Sequence, residues 1–176
     1  MRVIAGEFRS RRLLSVEGTT TRPTSDRLRE TLFNILGEDV AGSVFVDAYA
    51  GTGAVGIEAL SRGARHAVFL EKDKKAVDTI RKNLEALRIA SRATVVQGSA
   101  HLHLTGIEAD IVFLDPPYEK EGEYSACLDV LSTERPGLTI VQHSVRLKLS
   151  AEYGPLHCTR VLKQSDNALS FYKVRD

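Results

Sequence analysis

The chain has 176 residues, enough for one domain with a sizeable buried core. Its composition is globular, 43% hydrophobic and 27% charged, and its net charge of +1 excludes an overall pull toward a polyanion. Two distant cysteines exclude a disulfide scaffold or zinc ribbon, no signal-peptide pattern opens the chain and no apolar run reaches the length of a membrane span, so a cytoplasmic protein is expected.

Along the chain, charge is unevenly spread. Residues 2–12 carry Arg2, Arg9, Arg11 and Arg12 against only Glu7, and Arg22, Arg27 and Arg29 follow. Residues 2–14 are expected to form a small basic hairpin that presents one charged face, which sets residues 1–20 apart as an N-terminal appendage on a domain spanning 21–176. Thr24 or Ser25 can cap a helix carrying Leu28, Leu32, Ile35 and Leu36. Val44–Asp47 reads as a short buried strand, and the glycines at 51 and 53 turn into a helix running to Arg62, with Gly63 able to end it. Ala67–Glu71 is a second strand. Lys74–Ile89 follows as a helix with Val77, Ile80, Leu84 and Leu87 on one face.

Ala93–Gln97 and Ile111–Leu114 supply strands three and four, residues 123–132 a helix, and Leu138–Gln142 a fifth strand after the Pro136-Gly137 break. The runs His157–Lys163 and Ala168–Val174 flank Ser165-Asp166-Asn167, a turn sequence, and predict an antiparallel hairpin at the C-terminus. The alternation is that of a mostly parallel, Rossmann-like α/β sheet.

Gly51-Thr52-Gly53-Ala54-Val55-Gly56 follows a strand and opens a helix, and Glu71 stands twenty residues past Gly51 at the end of the next strand. Glycines permit a tight turn and close approach of backbone to ligand, and the acid can accept from both hydroxyls of a ribose. Taken alone, this is equally a dinucleotide fingerprint, so an NAD-linked oxidoreductase is a competing reading. Asp47 weighs against it, because a carboxylate there opposes a pyrophosphate but suits a ligand carrying an ammonium and a sulfonium. Glycines that merely turn a corner are the bland alternative, weakened by two acids in frame.

Asp115-Pro116-Pro117-Tyr118 closes the fourth strand. The exocyclic amine of guanine or adenine is a poor nucleophile, since its lone pair is delocalised into the ring. Asp115 can accept one N–H of that amine and the Pro116 carbonyl the other, fixing the line of attack. The paired prolines restrict the backbone and pre-aim the carbonyl, while Tyr118 can stack on the base for about 1–3 kcal/mol. The bland reading is a strand-ending acid with a proline turn; the aromatic that follows at the open end of a sheet argues against it. The motif reports an exocyclic amine without choosing its base.

With these residues in place, the frame Asp47-Ala-Tyr-Ala-Gly-Thr-Gly53 resembles the first motif of class I S-adenosylmethionine-dependent methyltransferases. More specifically, the chain resembles the bacterial RsmD family of 16S rRNA guanine-N2 methyltransferases. The likeness covers nearly the whole chain through Arg2–Leu13, Arg22–Leu36, Gly51–Ala64 and Asp115–Tyr118. It implies a seven-stranded methyltransferase sheet with one antiparallel strand, S-adenosylmethionine as donor, no metal, and a monomer acting on guanine 966 of 16S rRNA in the small ribosomal subunit or a late assembly particle. By position, Asp47, Gly51 and Gly53 would hold the methionine end of the donor and Glu71 its ribose, and the Gly98-Ser99-Ala100 turn would border the adenine. Tyr49, also on the donor side, stands where Phe is frequent, and Ser99 where related enzymes often place an acid.

Arg9, Arg11 and Arg12 can contact rRNA phosphates, the alternative being a solvated basic end. Arg22, Thr24 and Arg27 can position substrate, or else cap and solvate a helix. His101, His103, His143, His157 and the cysteines form no metal-ligand or nucleophile constellation. Two further competitors stand beside the rRNA reading. The same motif serves exocyclic amines of DNA, although no target-recognition domain is evident, and a non-catalytic RNA-binding module would tolerate loss of Asp115.

Overall fold

The computed structural model describes residues 1–18 and 25–176. In chain order the elements are α1 (Asp26–Leu36), β1 (Val44–Ala48), α2 (Ala54–Ser61), β2 (His66–Glu71), α3 (Lys74–Ala86), β3 (Ala93–Gln97), α4 (Ala100–His103), β4 (Ile111–Leu114), α5 (Glu121–Glu134), β5 (Leu138–Ser144), β6 (Glu152–Tyr153), β7 (Leu156–Gln164) and β8 (Asn167–Val174). The strands form one sheet in the order β3-β2-β1-β4-β5-β8-β7-β6. Pairings from β3 through β5 are parallel, and β8 runs antiparallel to both of its neighbours, β5 and β7.

The Rossmann-like expectation holds, with one difference in count. Among the described residues the sheet has eight strands rather than seven, because the two-residue β6 pairs antiparallel with the outer edge of β7. So short a pairing leaves no hydrophobic alternation to read in the sequence.

The strands alternate between two cores. Phe45, Phe69 and Phe113 face α1, α2 and α3, while Val46, Val68, Val112 and Leu114 face α4 and α5. Both faces are thus covered, which explains why these strands read as continuous apolar runs. Ser25, rather than Thr24, caps α1: its hydroxyl accepts the Leu28 N–H at 3.1 Å. The α3 helix stops three residues earlier than its apolar stripe implies. Arg88 takes a left-handed backbone (φ 59°) and the Ile89 N–H returns to the Leu84 carbonyl at 3.0 Å, a closure that sequence announces clearly only when glycine occupies the turn.

The N-terminal segment doubles back on itself, the antiparallel bridge of Arg2 with Arg12 being flanked by bonds from the Val3 N–H to the Arg11 carbonyl and from the Leu13 N–H to the Met1 carbonyl, both 2.9 Å. Other backbone groups of the segment are held by α2. The Glu58 carboxylate of α2 accepts the Ile4 and Ala5 N–H groups, and Ser61 accepts from the Phe8 N–H and donates to the Ala5 carbonyl. A Cβ at Gly6 would lie 2.0 Å from the Ser61 carbonyl oxygen, so glycine is what lets the segment lie on the helix. Val3 and Leu13 join the same core as α1 and α2. Among the described residues no helix is long and apolar enough to cross a membrane.

Candidate active site at the carboxyl ends of the strands

The strand order reverses between β1 and β4, and in open α/β sheets the crevice beyond such a reversal is where ligands bind. Asp47 lies near the end of β1, Glu71 ends β2 and Asp115 follows β4, so three carboxylates from distant parts of the chain share one end of the sheet.

The turn after β1 is built by left-handed backbone. Tyr49, Gly51 and Gly53 have φ values of 64°, 57° and 83°. Glu71 holds the turn to β2, with one carboxylate oxygen accepting the Gly51 N–H at 2.8 Å and the other the Asp73 N–H at 2.9 Å. Each oxygen keeps a second lone pair that a ribose hydroxyl can use. Nothing lies within 4 Å of a Cβ built at Gly51, so the turn is open on that side. The third glycine has a different task. A Cβ at Gly56 would come 2.4 Å from Cε1 of Phe69, so its absence lets α2 pack directly on β2.

Asp47 lies beneath the turn, only 2% exposed, with one oxygen accepting the Gly56 N–H at 2.9 Å. Burial pushes its carboxyl well above the usual range; the Gly56 bond opposes that rise, and the charges of Asp115 and Glu71 add to it. A cation in the crevice would relieve this strain by favouring the ionised acid.

On the acceptor side, Pro116 is buried, Pro117 is exposed, and Asp115 and Tyr118 are half-buried. The Pro116 carbonyl accepts the Tyr124 hydroxyl at 3.2 Å, which leaves its second lone pair for another donor. Tyr118 donates its hydroxyl to Oδ1 of Asn167 at the start of β8. Ser99 precedes α4 without a side-chain cap bond, next to Gly98, where a Cβ would meet Nε2 of His103 at 2.1 Å. Tyr49 points to α5: its hydroxyl donates to Glu123 Oε2 at 2.5 Å and lies 3.2 Å from Cys127 Sγ. Burial, then these two partners, hold its phenol far above the ordinary tyrosine range, and burial pushes the Cys127 thiol up to about 11.

The basic residues divide. Arg9, Arg11 and Arg12 are exposed, with Arg11 also donating to the Ala86 carbonyl at 3.2 Å. Arg27 is exposed on α1, and Arg22 and Thr24 lie outside the described residues. Arg29 leaves the expected charged face altogether. It is fully buried, donating to the Arg2 carbonyl at 2.6 Å and to Asp26 at 3.0 Å. The α1 periodicity hides this, because Arg29 adjoins Leu28 on the inward stripe and reads as one more surface cation. Asn167, Glu123 and Tyr124 also escaped sequence reasoning, since only folding brings them to the site.

Residues 1–173 match the family model "Conserved hypothetical protein 95". YlbH of Bacillus subtilis is 37% identical over 99% of this chain and 100% of its own length. Ribosomal RNA small subunit methyltransferase D of Escherichia coli is 41% identical over 122 residues, 68% of this chain and 61% of that protein. The chain belongs to the RsmD family. A solved structure similar to it, that of Escherichia coli yhhF, superposes with a TM-score of 0.87 at 33% identity and covers 99% of this chain and 98% of that one. The RsmD-family resemblance carried by Arg2–Leu13, Arg22–Leu36, Gly51–Ala64 and Asp115–Tyr118 thus extends to the fold as a whole.

Proposed function

We propose that the protein transfers a methyl group from S-adenosylmethionine to the exocyclic N2 of a guanine in 16S rRNA. One observation carries the reading. The glycine turn pinned by Glu71 and the Asp115-Pro-Pro-Tyr segment stand at the ends of adjacent strands, β1 and β4, so donor and acceptor meet across one crevice.

The residues present fit such a donor. The turn is open at Gly51, and Asp47, Glu71 and Asp115 are close enough to feel one another's charge, a field that suits a cationic ligand. In this reading Gly51 and Gly53 hold the methionine end by backbone and Glu71 takes the ribose, with Ser99 bordering the adenine. Asp47, buried under the turn, acts through the Gly56 bond and its field rather than by lying in the mouth of the site. When bound, the donor supplies an electrophilic methyl carbon on a sulfonium, and transfer leaves a thioether. Asp115 and the Pro116 carbonyl accept the two N–H bonds of the amine, aim its lone pair and localise it on nitrogen. Tyr118 stacks on the base, which must be exposed or flipped to reach it. As the N–C bond forms and the C–S bond breaks, the surplus proton passes from nitrogen to Asp115 and then to solvent.

Guanine over adenine, and the position 966 within 16S rRNA, rest on family likeness rather than on the motif. Arg9, Arg11, Arg12, Arg22, Thr24 and Arg27 are the proposed RNA contacts, and a cytoplasmic monomer acting on the small subunit or a late assembly particle is the proposed setting. The test is to incubate the protein with labelled donor and 30S particles from cells lacking this activity, then digest and identify the labelled nucleoside. N2-methylguanosine is expected. Label found only in DNA would move the reading to a DNA amine methyltransferase, and no label in either would overturn it.

A further inference from the structure

We propose that the first turn of α5 staples the two halves of the site together, with Glu123 positioning the donor turn through Tyr49 and Tyr124 positioning the acceptor segment through Pro116. The proposal rests on the methyl-transfer reading just given.

Tyr49 is a non-glycine residue in left-handed backbone, two residues before Gly51. Such a conformation persists where surrounding contacts over-determine it. Here the contacts come from α5. Glu123 and Cys127, one helical turn apart on one face, both meet the Tyr49 hydroxyl, at 2.5 and 3.2 Å, and the Tyr49 ring packs against the core of that helix. His101 of α4 faces the same carboxylate, its Nδ1 3.8 Å from Glu123 Oε2.

The next residue reaches the other loop. Successive helical residues diverge by about 100°, so Tyr124 points away from Tyr49. It is 1% exposed and donates to the Pro116 carbonyl at 3.2 Å. One rigid turn therefore sets the distance between the donor turn and the acceptor carbonyl. In-line transfer is sensitive to errors of an ångström in that distance, so a fixed spacer has mechanistic value. Nothing local distinguishes Glu123 from Glu119 and Glu121, which also suit a helix N-terminus.

The test measures S-adenosylhomocysteine binding by calorimetry on the full chain, together with steady-state kinetics. Tyr49→Phe and Glu123→Ala are each expected to weaken binding about fivefold, the worth of one ordinary hydrogen bond. The double variant should be no weaker than either single one. Glu123→Gln, which keeps an acceptor oxygen, should restore binding to within about twofold of the parent. Tyr124→Phe should lower kcat with donor binding unchanged. A merely structural role would lower the melting temperature of all these variants alike and leave binding per folded molecule intact; that result overturns the staple. Additive losses in the double variant overturn it as well. Failure of the parent protein to bind S-adenosylhomocysteine would instead remove the methyl-transfer reading, and the staple with it.

Discussion

Tyr118 and Asn167 lie 49 residues apart in the chain, yet the phenol hydroxyl of one donates to the amide oxygen of the other. The bond ties the segment after β4 to the first residue of β8, across the end of β5, and holds the ring by its far edge. Asn167 is 7% exposed, so the tether is shielded from competing water.

This tether sets a graded expectation for the acceptor side. Tyr118→Ala removes the stacking face and should raise KM for the RNA substrate about fivefold to 150-fold, the range of about 1–3 kcal/mol for a base on an aromatic ring. Tyr118→Phe and Asn167→Ala keep the ring and release only its edge, so each should raise KM by about threefold to tenfold. Combined, the last two should cost no more than one, because both break the same bond. Initial-rate measurements with small-subunit particles would check this; additive effects would contradict it.

Asp115 has a sharper signature. Asp115→Ala should lower kcat about 10²–10³-fold, the usual cost of removing one preorganised group at the reacting atoms. S-adenosylhomocysteine affinity should change little, since the donor turn is held by Glu71. Calorimetry beside single-turnover rates separates the two, and equal losses in both would argue against an acceptor-side role.

Gly56 is a packing prediction free of chemistry. A Cβ there would sit 2.4 Å from the Phe69 ring, and both residues are buried. Gly56→Ala should destabilise the fold by about 1–3 kcal/mol through overpacking. That corresponds to a fall in Tm of about 3–10 °C for a chain of this size. Adding Phe69→Leu should recover part of the loss; thermal unfolding that shows no change in the single variant would refute the packing argument.

Asp47 links stability to pH and to the donor. Burial, with the charges of Asp115 and Glu71, raises its carboxyl above the ordinary 3.8 in the folded state. Between 3.8 and that higher value the folded chain binds more protons than the unfolded one, so stability falls as pH rises through this window. Asp47→Asn, whose amide oxygen can still accept the Gly56 N–H, should flatten this part of the pH profile. It should raise Tm at neutral pH and weaken donor binding. Denaturation measured from pH 4 to 8, with and without the donor product, tests both halves, and an unchanged slope in the variant would sink the assignment.

The local elements around the site were legible in the sequence because their signals are local. The short strand 44–47, the glycines at 51 and 53, the stripe Val77-Ile80-Leu84 and the Asp-Pro-Pro-Tyr segment each depend on neighbours a few residues away. They were enough to predict a mostly parallel sheet with a C-terminal hairpin and to put donor and acceptor motifs at strand ends. The tertiary structure alone decided what those motifs lean on. Periodicity reports which way a side chain faces, but not what it meets across the fold. Arg29 therefore reads as surface charge until α1 carries it inward against the Arg2 carbonyl, and nothing local in the N-terminal hairpin names Glu58 and Ser61 as the groups that fasten its backbone to α2. For the same reason Glu123, Tyr124 and Asn167 acquired meaning only when strand order brought α5 and β8 beside the crevice.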